Sequence, residues 1–214
     1  MMNEDATSGR RRAGEDPAKR SQILKGAYRV FMERGFDAAS MNDITRAAGV
    51  SKGTIYVYFR NKEELFEALV DDERLRLTAG LYEALAGPDF ETALRRFLVA
   101  LVGLATSDEA VRAQRTVIAI AERMPALGAR FVEEGTRKAE AALAAFLAAR
   151  ADAAGLDIRD ARAAAENLVT LAIGTILRRR LYGADAAEPD EKAVAATADR
   201  ALAAFLAAAR AGVW

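Results

Sequence analysis

The stretch Ala47–Phe59, AAGVSKGTIYVYF, constrains this chain more than any other, because it specifies the end of one short helix, a tight turn and the whole of a second helix. Upstream, Ser40 and Asp43 have the spacing of a capping box, in which the serine hydroxyl accepts the Asp43 backbone N–H and the carboxylate reaches back. Ile44, Ala47 and Ala48 then recur on one helical face. Gly49 must end that helix, since a glycine just past the last periodic residue takes the left-handed conformation that turns the chain. Ser51 stands where the next helix needs its N-cap. Two helices joined by so short a glycine-containing turn have the geometry of a helix-turn-helix.

The second helix has few apolar residues to hold it down, chiefly Ile55 and Phe59 at i, i+4 spacing. Lys52, Thr54, Tyr56 and Tyr58 supply a cation, a hydroxyl and two phenols, which donate hydrogen bonds to phosphate oxygens and base edges. Gly53 removes bulk where a helix start would approach a duplex. A chance helical hairpin with packed tyrosines is the competing reading, and the length of the matching run separates the two. Ile23-Leu24, Phe31 with Gly35, Asp43-Ile44, AGVSKGTIYVYF and the NKEEL of Asn61 to Leu65 follow in one register. Residues 20–70 thereby resemble the DNA-binding domain of the TetR-type bacterial repressors. Arg115 to Gly135, RTVIAIAERMPALGARFVEEG, further resembles the C-terminal region of the AefR-like branch.

The resemblance implies an all-α, nine-helix fold, with an N-terminal three-helix helix-turn-helix domain and a C-terminal helical ligand-binding and dimerisation domain. It also implies a DNA-binding set of Asn42, Ser51, Lys52, Gly53, Thr54, Tyr56, Tyr58 and Lys62. Within it, Tyr56 and Lys62, with Thr54 and Tyr58, match positions that hold the phosphate backbone. Lys52, Gly53, Thr54 and Asn42 match positions that reach base edges. Asn42 is shorter than the long cation such a position can carry, and local capping is an equal reading of it. The implied partners are a palindromic double-stranded operator, a second copy of the chain in a homodimer, and a small-molecule effector whose identity the sequence does not name.

Charge supports a nucleic-acid partner for one part of the chain only. The formal net charge is zero, yet between Arg10 and Lys62 there are 12 lysines and arginines against 5 aspartates and glutamates. A phosphate-binding domain needs that local field, although Lys19, Lys25 and Arg29 read equally well as a solvated face. The absence of histidine and cysteine removes the commonest general base, thiolate nucleophiles, thiolate metal sites and disulfides. No metal or cofactor is expected. A small all-helical enzyme or ligand carrier, the alternative from another class, would depend on carboxylates such as Glu122, Glu133 and Glu134. The adjacent pair Glu133 and Glu134 diverges on a helix. No apolar run reaches the roughly 20 residues of a membrane span and no secretory h-region follows the N-terminal charges, so a cytoplasmic location without membrane contact is expected.

Along the chain, residues 1–16 read as a polar, disordered arm whose Arg10, Arg11 and Arg12 either track DNA or are solvated. A DNA-binding domain over 17–62 follows, opened by Asp16-Pro17 and with its first helix ended at Gly35. Asn61, with Glu64 three residues on, starts a fourth helix expected to run from 62 to about 86. At that length, roughly 37 Å, it would join the first domain to a ligand-binding and dimerisation domain over 63–214. Helices are expected near 89–105, 108–123, 125–153, 158–182 and 190–211, with a capping box from Thr106 to Glu109.

In this second domain Phe90, Phe97, Leu101, Val117, Ile120, Met124 and Phe131 face helices rich in alanine, a mismatch that leaves room for an apolar pocket or packs as plain core. Gln114, Arg115, Thr116 and Glu122 are its polar candidates. Leu168, Leu171, Gly174, Leu177 and Leu181 on one helix, with Leu202, Phe205 and Leu206 on the next, either bury one another within a monomer or form a four-helix seam across a twofold axis.

Overall fold

The computed structural model describes residues 16–78, 80–87 and 89–214; the basic arm expected over residues 1–16 therefore lies, apart from Asp16, outside the described residues. All regular structure among the described residues is helical: α1 Pro17–Ala38, α2 Met41–Ala48, α3 Lys52–Tyr58, α4 Lys62–Thr78, α5 Phe90–Thr106, α6 Asp108–Ile120, α7 Pro125–Val132, α8 Lys138–Arg150, α9 Ala161–Leu181 and α10 Glu191–Arg210. α7 runs into α8 through a π-helical turn, Glu133–Arg137, so that with these two counted as one the described residues contain nine helices. Two compact units divide after Asp72, inside α4.

The first unit is held by α1. Asp16 caps it by accepting from Ala18 N–H, and Pro17 occupies the first turn, where a missing N–H is tolerated. Ile23, Leu24, Ala27, Val30 and Phe31 line its buried face. Gly35, at φ 74°, breaks the helix before one further turn, which brings Phe36 back beside Phe31 (5.7 Å between ring centroids) and edge-on to Phe66 of α4 (5.1 Å). Ile44, Ile55, Phe59 and Leu65 complete the core, at about 1.5–3 kcal/mol for each large apolar side chain fully buried.

In the second unit α5 is the central rod. Ala93, Leu94, Phe97, Leu98 and Val102 are fully buried in one cluster with Leu143 and Leu147 of α8, Leu168 of α9 and Phe205 of α10. Alanines at 164, 165, 198, 201 and 209 are buried in the same cluster and allow close helix approach.

Several expectations are corrected by this arrangement. α4 stops at Thr78 rather than near Ala86, and a separate 3₁₀ turn spans Glu83–Ala86. Its apolar stripe runs out at Val70, three acidic residues follow, and Gly80 disfavours continuation by about 1 kcal/mol relative to alanine. Ser107, not Thr106, caps α6: its hydroxyl accepts Ala110 N–H at 3.2 Å, while Thr106 Oγ1 donates to the Val102 carbonyl. Of the two readings open for Leu168, Leu202, Phe205 and Leu206, these four are buried in the protomer's own core rather than left on its surface. Of that set Leu171 is exposed on α9, as is Gly174, while Leu177 and Leu181 are half-buried.

Among the pocket candidates, Phe90, Phe97 and Leu101 lie in the main core, and Phe90 stacks on Phe146 at 5.2 Å. Val117 and Ile120 are buried on α6, while Met124 and Phe131 are half-buried. No helix among the described residues is long and apolar enough to cross a membrane.

Candidate nucleic-acid interface

The α2–turn–α3 unit is built by three local devices. Ser40 Oγ accepts Asp43 N–H at 3.1 Å and the Asp43 carboxylate accepts Ser40 N–H at 3.3 Å, which closes the capping box. The Ser40 hydroxyl, and then Arg46, hold the Asp43 carboxyl below the usual carboxylate range, so the box is ionised at neutral pH. At the other end Gly49, at φ 63° and ψ 39°, forms a Schellman turn in which its own N–H donates to Arg46 O and Val50 N–H donates to Thr45 O. Ser51 Oγ then accepts Thr54 N–H at 3.0 Å, and α3 begins.

The faces of α3 follow from that start. Ile55 is fully buried and Phe59 nearly so, which pins the inner side. Lys52, Gly53, Tyr56 and Val57, at i, i+1, i+4 and i+5, form the outer side, with Tyr56 44% and Val57 51% exposed. Thr54 and Tyr58 flank it half-buried, and Ser51 and Asn42 are exposed. A surface helix that presents a valine to solvent beside a cation and a phenol is shaped for contact. Sequence reasoning passed over Val57 because a valine within a short helix reads as core.

Three α1 residues tie α1 to the end of α2, and two of them, Gln22 and Gly26, escaped notice. Gly26 crosses α2 where a Cβ would lie 2.6 Å from Ala48 Cβ and 2.7 Å from its Cα and N. One turn before it, Gln22 Nε2 donates to Ala48 O at 2.7 Å; one turn after it, Arg29 donates to Ala47 O. The last carbonyls of a helix have no partner within it, and here α1 supplies donors for two of them. The orientation of α2, and of α3 behind it, is thereby set by α1. Arg29, although exposed, thus also clamps the end of α2.

Lys62 is placed differently from expectation. Its ammonium donates to the carbonyls of Phe36 at 2.7 Å, Ala39 at 3.1 Å and Asp37 at 3.3 Å, and sits 4.4 Å from the centroid of the Phe36 ring. All three N–H donors are used within the domain, which leaves none for a phosphate. We expect Lys62→Met to lower the thermal midpoint of the first unit by the loss of about 2–3 kcal/mol and to leave the salt dependence of DNA binding unchanged. A salt slope reduced by about one with an unaltered melt would return Lys62 to the phosphate contacts.

Comparison with known proteins bears on this geometry. Residues 23–69 match the family model for bacterial regulatory proteins of the tetR family, and residues 92–211 match the AefR-like transcriptional repressor C-terminal domain. The chain belongs to the TetR family. It is similar to the HTH-type transcriptional repressor Rv1474c of Mycobacterium tuberculosis, 44% identical over 62 residues, which covers 29% of this chain and 33% of that protein. The chain thus spans about a third of that relative's length. Among solved structures, a putative TetR-family transcriptional regulator from Mesorhizobium loti superposes with TM-score 0.80 at 26% identity, covering 89% of this chain and 96% of that one. The flavonoid-responsive regulator FrrA superposes with TM-score 0.71 at 30% identity, covering 90% and 97%. TetR-family relatives of this kind are DNA-binding transcriptional regulators rather than enzymes.

Proposed function

We propose that this TetR-family chain is a repressor that binds a palindromic operator as a homodimer and is released from it by a small, largely apolar effector. The observation that carries the reading is the outer face of α3. Lys52 and Tyr56 offer donors, Gly53 permits close approach, and Val57 offers an apolar surface suited to a thymine methyl group in the major groove. The same domain carries the local cationic excess. Asn42, exposed on α2, is a flanking contact, and Ser51 acts through its cap on Thr54.

Release follows from the way α4 is tied. Its N-terminal part belongs to the DNA-binding unit and its C-terminal part to the second unit, where Arg76 pairs with Glu73 of α4 and with Glu109 of α6. α6 also carries Val117 and Ile120, so an effector that displaces α6 acts on α4. A hundredfold change in operator affinity needs only about 2.7 kcal/mol of differential affinity between the two states. Flavonoid response, known for FrrA by its name, is compatible with an apolar pocket of this sort without fixing the ligand here.

Fluorescence anisotropy on DNA flanking the protein's own coding region, followed by selection of preferred sites, tests the reading. Wild-type protein should bind saturably with a steep inverse dependence on salt. Lys52→Ala should relax preference at one or two positions per half-site, and Val57→Ala should abolish discrimination of thymine from uracil at one position, about 1 kcal/mol or more in each case. Base preferences unchanged in both variants would remove this face of α3 from readout.

A further inference from the structure

With the Lys62 ammonium spent on carbonyls, phosphate binding by charge in the first unit draws on other cations, and most of these are also committed. Arg34 and Arg46 share the Asp43 carboxylate, Arg60 pairs with Glu64 at 3.0 Å, and Arg29 donates to the Ala47 carbonyl. Arg20 is different. It is exposed on α1, and its guanidinium carbon lies over the Phe59 ring, 5.7 Å from the centroid. A cation held over a ring face spends no N–H on that contact. Among the described residues the Arg20 guanidinium meets no carboxylate, and its five donors remain to be used.

The place of that ring decides what the donors can reach. Phe59 is the C-cap of α3, and its N–H donates to the Ile55 carbonyl. Arg20 stands one turn before Ile23 and Leu24 on the inner face of α1, where the core has run out, and it covers the residue that ends α3. Gln22, two residues on, lies against the turn that leads into α3: its Nε2 donates to Ala48 O and is 3.8 Å from where a Cβ on Gly49 would stand. The first turns of α1 thus flank α3 at both ends. α3 has seven residues, a length of about 10 Å, against a major groove about 12 Å wide. So short a helix, reading with its outer face, has phosphates within reach of each end. A group beside that end, and off the outer face, meets a phosphate rather than a base edge.

We propose that Arg20 is a phosphate-binding residue, whose guanidinium, held by Phe59, grips a backbone phosphate of the duplex beside the end of α3. This rests on the DNA-binding reading above and adds to it a residue that positions α3 without reading sequence. Arginine suits the role, since its planar fork presents two N–H groups to one phosphate and the ring beneath it holds the fork in place. Lys25 supplies the contrast. It is equally exposed on α1 but, five residues on, points about 140° away from Arg20 around the helix.

Fluorescence anisotropy as a function of salt, on a selected operator and on a random duplex of the same length, tests the assignment. In Arg20→Gln the affinity should fall about tenfold on both duplexes, and the slope of log K against log salt should decrease by about one. Lys25→Gln removes the same charge from the same helix and should leave the slope as in the wild type. Arg20→Lys should keep the slope and lose about threefold in affinity, because an ammonium makes no two-point contact. A slope unchanged in Arg20→Gln, even with a lowered melt, would overturn the proposal and make the stack on Phe59 purely structural. Slopes lowered equally in Arg20→Gln and Lys25→Gln would overturn it in favour of a general field, and a loss confined to the selected operator would overturn it in favour of base readout. Each of these leaves the DNA-binding reading in place, whereas wild-type protein that binds neither duplex would overturn both.

Discussion

Gly26→Ala is expected to destabilise the DNA-binding unit and to cut operator affinity by about a hundredfold or more, although helix propensity by itself argues the opposite sign. Alanine is favoured over glycine inside a helix by about 1 kcal/mol, and an exposed substitution in α1 would be stabilising. At Gly26 the new methyl group would meet Ala48 Cβ at 2.6 Å and Ala48 Cα and N at 2.7 Å, closer than such atoms approach in folded proteins. Two of those three atoms are backbone, so relief requires α2 to move away from α1. That movement stretches the bonds from Gln22 and Arg29 to the Ala48 and Ala47 carbonyls. Overpacking costs typically about 1–3 kcal/mol, and each strained bond to a helix-end carbonyl adds about 1 kcal/mol. A displacement of α2 carries α3 with it, and readout depends on placement to within an ångström. Circular dichroism melts and anisotropy on a selected operator measure the two effects. A Gly26→Ala protein that melts at or above the wild-type temperature would show that the helix crossing has slack, and that α1 does not set the angle of α2.

What was legible in the sequence was what depends on neighbours a few residues apart. The Ser40–Asp43 box, the left-handed Gly49 and the Ser51 cap are all settled within four residues, and each forms as the spacing requires. Gly26 and Lys62 were misread or passed over because their partners are 22 to 26 positions away: Ala48 for the glycine, and the carbonyls at Phe36 to Ala39 for the lysine. A signal was available for Gly26. A glycine in mid-helix is a standing cost that only close approach of another backbone repays. α4 ends earlier than expected because beyond Val70 no apolar stripe is buried, and Leu75 is 61% exposed.

The inner and outer faces of α9 stay unresolved in the sequence for a different reason. Leucine and alanine occur all around α9, so periodicity cannot tell which stripe meets the protomer's core and which is left outside. Burial tells them apart. Leu168, Val169 and Ala172 are inside, and Leu171, Thr175, Arg178 and Tyr182, at i, i+4, i+7 and i+11, share an exposed face.

If the proposed homodimer forms across that outer face, it carries the second large expected effect, loss of the dimer in Leu171→Arg. Leu171 is 52% exposed and Tyr182 85%, and between α9 and α10 runs an open groove of about 450 Å³ lined by Leu171, Thr175, Ile176, Thr197, Arg200 and Ala204. Apolar residues left open along a groove floored by small side chains are what a second copy would cover, and a twofold axis makes such a patch self-complementary. The charge already present chooses the substitution. Arg179 is neutralised by Asp185 at 2.7 Å, whereas Arg200 donates to the Thr197 hydroxyl, so the groove has a cationic excess that a glutamate would relieve and an arginine would worsen. In the isolated protomer Leu171→Arg replaces one exposed side chain by another and should leave the melt within about 0.5 kcal/mol of the wild type. In a twofold dimer it brings two uncompensated cations into the seam, each costing several kcal/mol if desolvated, which corresponds to a dimer weakened by about a thousandfold or more. Sedimentation should then show monomers. Binding to a palindrome should fall to the level of a single half-site, because the second recognition helix is no longer tethered at high effective concentration. An intact dimer in Leu171→Arg would place the twofold contact elsewhere on the second unit, while monomers that still bind the palindrome with wild-type affinity would show that the operator is read one half-site at a time.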